Sequence, residues 1–235
     1  MAKGKVYLIP NVISMGTGEQ VIPLQVREAI RRIKYFLVED VRTARRYISS
    51  LKLGVVIDEL DFEVVDKRTS SRDLDQYMQR VLKGEDVGVI SESGCPGIAD
   101  PGANVVAWAH RNGVQNVPLS GPSSLFMALM ASGFSGQSFA FCGYIPVKKP
   151  ERKKALKRLE KESRDKHQTQ LFIETPYRND HLLLDILNTC DPSTQLCVAK
   201  DVSGPEEFIK TDLVKNWKKK VPVLGKVPTV FLIQA

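Results

Sequence analysis

Val87-Gly-Val-Ile-Ser-Glu-Ser-Gly-Cys-Pro-Gly-Ile-Ala-Asp-Pro-Gly102 reads as a short buried strand, Val87 to Ser91, running into a loop with three glycines and two prolines. A helix is predicted to start near Asn104. A strand that stops at a small-residue loop facing a helix N-terminus leaves backbone N–H groups free in a crevice. Glycine lets the backbone approach a ligand closely, and proline sets the loop's shape before the ligand arrives. In α/β proteins the carboxyl ends of strands are where ligands sit. A plain strand-to-helix connection is about two to six residues long, so a loop of this length and composition reads as a binding loop.

Working outward, strand-like runs alternate with helical ones. The strands predicted are Val6–Pro10, Tyr35–Glu39, Val87–Ser91, Asn116–Leu119, Phe139–Gly143, Gln170–Thr175, Leu196–Asp201 and Thr229–Gln234. Ser71 reads as the cap of a helix whose stripe is Leu74, Met78, Val81 and Leu82, with Gly84 ending it. Val105, Val106, Trp108 and Ala109 belong to a helix that stops before Gly113. Ser124–Ser132 is apolar nearly all round and is expected to be buried. His181–Cys190 carries Leu182, Leu183, Ile186 and Leu187 on one broad face. Strands alternating with helices predict an α/β fold.

The chain has 235 residues, enough for one large domain or two small ones, and 43% of them are hydrophobic. No run is long enough to span a bilayer and no signal peptide is read at the start. Cys95, Cys142, Cys190 and Cys197 lack C-x-x-C spacing, so the reading is a reducing cytosol without structural zinc. The net charge is +7. Residues 148–166 hold ten Lys/Arg against Glu151, Glu160, Glu162 and Asp165. Further basic clusters are Arg27, Arg31, Arg32 and Lys34, then Arg42, Arg45 and Arg46, then Lys218-Lys-Lys220. Clustered cations suit a polyanion such as RNA. The alternating Glu and Lys of 151–166 suit a solvated helix face equally well.

Common catalytic signatures are missing. Met15-Gly-Thr-Gly18 lacks the third glycine of a dinucleotide loop, and there is no G-x-x-x-x-G-K-[ST]. His110, His167 and His181 have no metal-ligand spacing. Gly121-Pro-Ser-Ser-Leu125 is not a nucleophile elbow.

Ser91-Glu-Ser-Gly-Cys-Pro-Gly-Ile-Ala-Asp-Pro-Gly102 resembles the S-D-A-G-T-P-x-I-S-D-P-G loop of the tetrapyrrole methylase superfamily. The closest resemblance is to its branch that methylates ribose 2′-hydroxyls of small-subunit ribosomal RNA. Val38-Glu-Asp-Val-Arg-Thr-Ala-Arg-Arg46 is similar to A-E-D-T-R-x-T-R, and Val117-Pro-Leu-Ser-Gly-Pro-Ser-Ser124 to V-P-L-P-G-P-S-A. Phe139-Ala-Phe-Cys-Gly-Tyr-Ile-Pro146 is similar to F-x-F-x-G-F-L-P, and Phe172-Ile-Glu-Thr-Pro-Tyr-Arg178 to F-Y-E-S-P-H-R. Each motif alone is weak; five in order, over nearly the whole chain, are strong.

The resemblance implies two α/β domains with mixed sheets flanked by helices, residues 1–119 and 120–235, with the boundary near Leu119 to Gly121. It implies a cofactor, S-adenosylmethionine, in the cleft between them, and a homodimer. Ser93, Gly94, Cys95, Pro96 and Ile98 should border the methionine part of the cofactor. Ser123 and Ser124 suit a carboxylate or ribose oxygen, though either also reads as a plain helix cap. Pro10 should touch the cofactor from below. Ile173, Glu174, Thr175, Ala199 and Pro228 should surround the adenosine, and Leu129, with Ala128, is a candidate for the adenine slot. Asp40 and Arg42 should face the acceptor as the catalytic pair, and Arg178 is a further RNA contact.

The sequence departs from the branch in places. Its T-P-I-G-N loop is Ile9-Pro-Asn-Val-Ile-Ser14 here, its aspartate is Glu92 and its threonine is Cys95. Glu59-Leu-Asp-Phe-Glu-Val-Val65 replaces a segment bearing histidine and asparagine. Three functions stay open at this point: a ribose methyltransferase acting on ribosomal RNA or the small subunit, a C-methyltransferase for a corrin or porphyrin precursor, and a non-catalytic RNA or ligand binder.

Overall fold

The computed structural model describes residues 2–235. The chain forms two compact units, Met1–Ser123 and Ser124–Ala235. Each has its own five-stranded sheet.

The first unit contains β1 (Lys5–Ile9), β2 (Tyr35–Val38), β3 (Asp61–Val64), β4 (Val87–Ile90) and β5 (Gln115–Pro118). Their order is β3-β2-β4-β1-β5, and every pairing is parallel. A parallel sheet covered by helices on both faces is buried on both, which explains the uninterrupted apolar runs of β2 and β4. Alternation along β2 divides the core. Phe36 and Val38 join Ile9, Ile30 and Ile48 on one face; Tyr35 and Leu37 join Val6, Met78, Val89 and Trp108 on the other. The chain leaves β1 for β2 and β3, then returns to insert β4 between β2 and β1. The carboxyl ends of β1, β4 and β5 therefore lie near one another, where the order reverses.

The second unit contains β6 (Phe139–Tyr144), β7 (Thr169–Ile173), β8 (Gln195–Lys200), β9 (Phe208–Leu213) and β10 (Thr229–Gln234), in the order β6-β7-β10-β8-β9. β6 and β7 are parallel; β10 is antiparallel to both neighbours, and β8 to β9. Mixed pairing is thus confined to this second sheet. Helices Lys149–Lys166 and Asn179–Thr189 contribute Leu156, Leu159, Leu182 and Ile186 to one face, against Phe172 and Phe231. Helix Ser124–Ser132 covers the other face through Ala128 and Leu129.

Some sequence readings need correction. The helix cap is Ser70, not Ser71: Ser70 and Asp73 form a reciprocal capping box, and the helix runs Ser71–Tyr77 before a second turn at Gln79–Leu82. The helix after the Gly/Pro loop starts at Gly102. Helix Ser124–Ser132 is not buried all round, since Phe126 and Met130 are 51% and 83% exposed. β3 and β9 were not predicted. Both are edge strands whose residues are exposed or half-buried, so neither carries an apolar run.

Much of the basic charge is spent on structure. Arg27 donates to the carbonyls of Ile22, Gly18 and Leu51, and Arg31 to that of Leu53. Arg32 pairs with Asp86 and lies over the Tyr7 ring, Lys34 pairs with Glu59, and Arg45 with Asp58. Arg152 is buried, with Nε and Nη2 at 2.7 and 2.6 Å from Asp185 Oδ2 and Nη1 donating to the Val147 carbonyl. The exposed cations of helix Lys149–Lys166 are another matter. Lys153, Lys157, Lys161 and Arg164 recur every three or four residues, hence on one face, and form no ion pair among the described residues.

Candidate functional site

The loop after β4 is tied to the end of β1. Asn11, almost wholly buried, donates from Nδ2 to the carbonyls of Ser91 and Glu92 at 3.0 and 3.1 Å, and its N–H donates to the Gly94 carbonyl at 2.8 Å. Ser91 Oγ donates to the Ser93 and Gly94 carbonyls. Farther along, the Asp100 carboxylate accepts from the N–H of Gly97 and of Gly102, at 2.9 and 2.7 Å. Gly94 has φ +67° and Ala99 φ +65°. Glycine adopts this left-handed region freely, whereas an alanine held there stores about 1 kcal/mol of strain.

A second loop, Leu119 to Ser123, closes on the first. Cys95 Sγ lies 3.4 Å from the Pro122 carbonyl oxygen, and a Cβ on Gly121 would fall 2.2 Å from Pro10 Cγ. Only glycine allows that approach. Pro10 is held from the other side, its carbonyl accepting the buried Tyr47 hydroxyl at 2.7 Å. Pro10, Ser93, Gly94, Cys95 and the Leu119–Ser123 loop thus converge at the carboxyl edge of the first sheet, with Pro96 buried beside them and Ile98 exposed. The N–H groups of Ser93, Gly94 and Cys95 have no protein acceptor among the described residues, and Gly94 is buried. A buried backbone donor without a partner is costly, so this run of donors fits an acceptor-rich ligand.

Asp40 caps helix Val41–Ser50, its Oδ1 accepting the Thr43 N–H at 2.7 Å. Hydrogen bonding to Thr43, and then the Arg42 and Arg46 charges, hold its carboxyl below the usual range. Arg42 is exposed and makes no ion pair among the described residues. The sequence reading missed the neighbouring Glu39. Its Oε1 lies 3.3 Å from the Glu92 nitrogen, and with Asp100, Ser91 and Gly102 it lines a cavity of about 10 Å³. Burial raises the pKa of both Glu39 and Asp100, and the Asp100 charge lifts Glu39 further.

In the second unit, Ile173, Val230 and Ala199 stand side by side across β7, β10 and β8. Leu129 and Ala199 are buried in one cluster with Ile173 packed on it, so both form the floor of this edge and not its open surface. Pro228 follows from the same edge, its carbonyl accepting the Asp201 N–H. Glu174 has a fully buried side chain whose Oε1 accepts from Thr175 N–H at 2.7 Å and Arg178 Nη2 at 2.6 Å. Burial pushes its pKa up, but the Arg178 and Thr175 bonds outweigh this and hold it below the ordinary value. Its Oε2 has no partner among the described residues. Ser123 and Ser124 fall on the division between the units.

Among the described residues no group of three or more His, Cys, Asp and Glu is placed to hold a metal. Among the same residues no helix is long and apolar enough to cross a membrane.

Residues 11–216 match the family model of the tetrapyrrole (corrin/porphyrin) methylases. The ribosomal RNA small subunit methyltransferase I of Thermotoga maritima is 29% identical over 213 residues, covering 89% of this chain and 90% of that protein. The protein of that name from Buchnera aphidicola subsp. Schizaphis graminum is 26% identical over 220 residues, covering 92% and 73%. The uroporphyrin-III C-methyltransferase of Thermus thermophilus, solved with S-adenosylhomocysteine, superposes with a TM-score of 0.57 at 16% identity, covering 98% and 97%. With the match running through both sheets, the chain belongs to the tetrapyrrole methylase family and is a methyltransferase.

Proposed function

We infer that this protein is an S-adenosylmethionine-dependent methyltransferase that methylates a ribose 2′-hydroxyl of small-subunit ribosomal RNA. The observation that carries the reading is the preorganised loop Ser91–Gly102 with its free donors, in a chain whose relatives bear the name of ribosomal RNA methyltransferases. When bound, S-adenosylmethionine supplies a methyl group already made electrophilic by its sulfonium centre.

The chain's own residues hold the reactants and move a proton. Ser93, Gly94, Cys95, Pro96 and Ile98 take the methionine end, with Ser123 and Ser124 offered to its carboxylate or ribose. Pro10, Ile173, Glu174, Thr175 and Pro228 are assigned to the adenosine, with Leu129 and Ala199 supporting them from below. Arg42, exposed and without an ion pair among the described residues, takes a phosphate of the RNA and orients the ribose. Asp40 is committed to capping and holds a proton weakly, so it fixes the helix that carries Arg42. Glu39 has the higher proton affinity of the two and is the better acceptor for the hydroxyl proton. Fixing the reactants in line supplies up to about 10 kcal/mol of the barrier.

The face bearing Lys153, Lys157, Lys161 and Arg164 suits the RNA backbone. A homodimer is part of the same reading, with the exposed Phe126, Met130 and Phe139 as its contact surface. The deciding experiment offers labelled S-adenosylmethionine together with ribosomal RNA, small-subunit particles or a porphyrin precursor. Label on a ribose 2′-oxygen is expected; label on the tetrapyrrole alone overturns the RNA assignment.

A further inference from the structure

We propose that the turn Pro176–Arg178, together with Lys226, is a docking platform for one unpaired nucleotide of the RNA. The base stacks on Tyr177, and the adjoining phosphate is taken by Arg178 and Lys226. The proposal rests on the RNA reading above and adds a place and a mode of contact to it.

Tyr177 presents most of its ring to solvent, with Lys226 over one face. The tyrosine is 74% exposed at the tip of a short 3-10 turn directly after β7. Lys226 Nζ stands 5.3 Å from the ring centroid and forms no ion pair among the described residues. Arg178 is the next residue. An exposed aromatic ring with cations close by is what single-stranded nucleic acid recognises, because every base has a π-face and each step carries a phosphate.

The platform is rigid before any ligand arrives. Pro176 limits the backbone at the first position, and the Arg178 N–H closes the turn on the Thr175 carbonyl at 2.9 Å. Glu174, buried and ionised, holds Arg178 by one arm, Nη2, at 2.6 Å. The Arg178 side chain remains 38% exposed, so part of its guanidinium faces solvent, while its Nε is buried without an acceptor among the described residues. Asn179 is fully buried, and its Nδ2 donates to the Val227 carbonyl at 2.8 Å, which fixes the residue after Lys226 to the base of the same turn. A planar guanidinium fixed in this way offers the N–H groups of its exposed end to a phosphate. Little freedom of the Arg178 side chain is left to lose on binding.

The test compares binding of a fluorescent oligouridine of about ten nucleotides to the wild type, Tyr177→Ala, Tyr177→Phe and Lys226→Gln. Arg178 is left in place, because its removal would strand the buried Glu174 charge and disturb folding. Tyr177→Ala is expected to weaken binding about tenfold and Tyr177→Phe to leave it within about twofold, since the stacking face survives. Lys226→Gln should lower the log–log salt slope by about 0.7, the share of one neutralised phosphate on a single strand. In Tyr177→Trp, bound oligonucleotide should quench the exposed indole. Wild-type affinity in Tyr177→Ala, with the wild type binding and methylating RNA, overturns the platform and leaves the RNA reading standing. If the wild type binds no RNA, both fall together.

Discussion

The side-chain amide of Asn11 donates to the carbonyl of Ser91 at 3.0 Å, joining residues that lie 80 positions apart. Through that bond, its companion to Glu92 and the Asn11 N–H to Gly94, one residue at the end of β1 sets the course of the loop after β4. The loop's shape is therefore a property of the sheet beneath it. Replacing Asn11 by Ala leaves the buried Ser91 carbonyl without its donor, at an expected cost of about 1–3 kcal/mol in urea denaturation. Calorimetry with S-adenosylhomocysteine should show weaker binding in the same variant.

Gly121→Ala is expected to be worse than its size suggests. The added carbon would overlap Pro10 Cγ and Cβ, at 2.2 and 2.3 Å, so either β1's end or the Leu119–Ser123 loop must move. Overpacking of this kind costs about 1–3 kcal/mol. Affinity for S-adenosylhomocysteine should fall at least about tenfold by calorimetry, and unchanged affinity would remove Pro10 and this loop from the cofactor site.

Glu39 gives a pH prediction. Its folded pKa is raised, mainly by burial, so the folded state binds its proton more tightly than the unfolded chain does. Its contribution is fully present below the ordinary glutamate pKa and is lost as pH rises through the raised value. Glu39→Gln removes that penalty and keeps an oxygen for the Glu92 N–H. Its urea midpoint should exceed the wild type's at pH 7, and the difference should vanish or reverse near pH 4. Methyl transfer at pH 7 should drop about 10²- to 10⁴-fold if Glu39 takes the hydroxyl proton.

The basic stripe separates binding charge from structural charge. Changing Lys153, Lys157 and Lys161 together to Gln should flatten the salt dependence of RNA binding by about 0.7 for each phosphate these lysines neutralise on a single strand. Cofactor affinity should hold. Arg27→Gln is the contrasting variant: it gives up bonds to three carbonyls, so it should lower thermal stability and leave the salt slope alone.

Assembly has its own test. Phe126 and Phe139 meet edge to face at 6.0 Å beside Met130, forming an apolar surface that faces solvent in the single chain. Sedimentation should find a dimer of the wild type and a ~26 kDa species for Met130→Lys. A wild type that sediments as a monomer at micromolar concentration contradicts the dimer.

Central features were easier to read than peripheral ones, for physical reasons. β4 and its Gly/Pro loop stand out because a strand buried on both faces must be continuously apolar, and a close-approach loop must be small. β3 and β9 share only one long edge with a neighbour, so Asp61-Phe-Glu-Val64 and Phe208–Leu213 carry little apolar pattern. Glu39 was passed over because a carboxylate at a strand end looks like ordinary solvated charge until the fold sets Asp100 near it. Asn11 was hidden similarly: its partners are backbone carbonyls, which leave no mark on the sequence. The cluster Arg27 to Lys34 read as polyanion-binding, yet the carbonyls and carboxylates that engage it come from other segments.

The place of β10 bears on how the protein is made. The first sheet has all its strands once Pro118 has emerged from the ribosome. In the second, β10 lies between β7 and β8, so those two strands lack their shared neighbour until residues 229–234 appear. At about 5–20 residues per second, the interval between the two events is on the order of 10 s. From the moment each is made until β10 arrives, nascent β7 and β8 present an unpaired apolar edge, while the first unit is already able to close. The second half is thus the part of the newborn chain that needs shielding, and slowing translation before β10 should lower the yield of folded protein more than slowing it before β5.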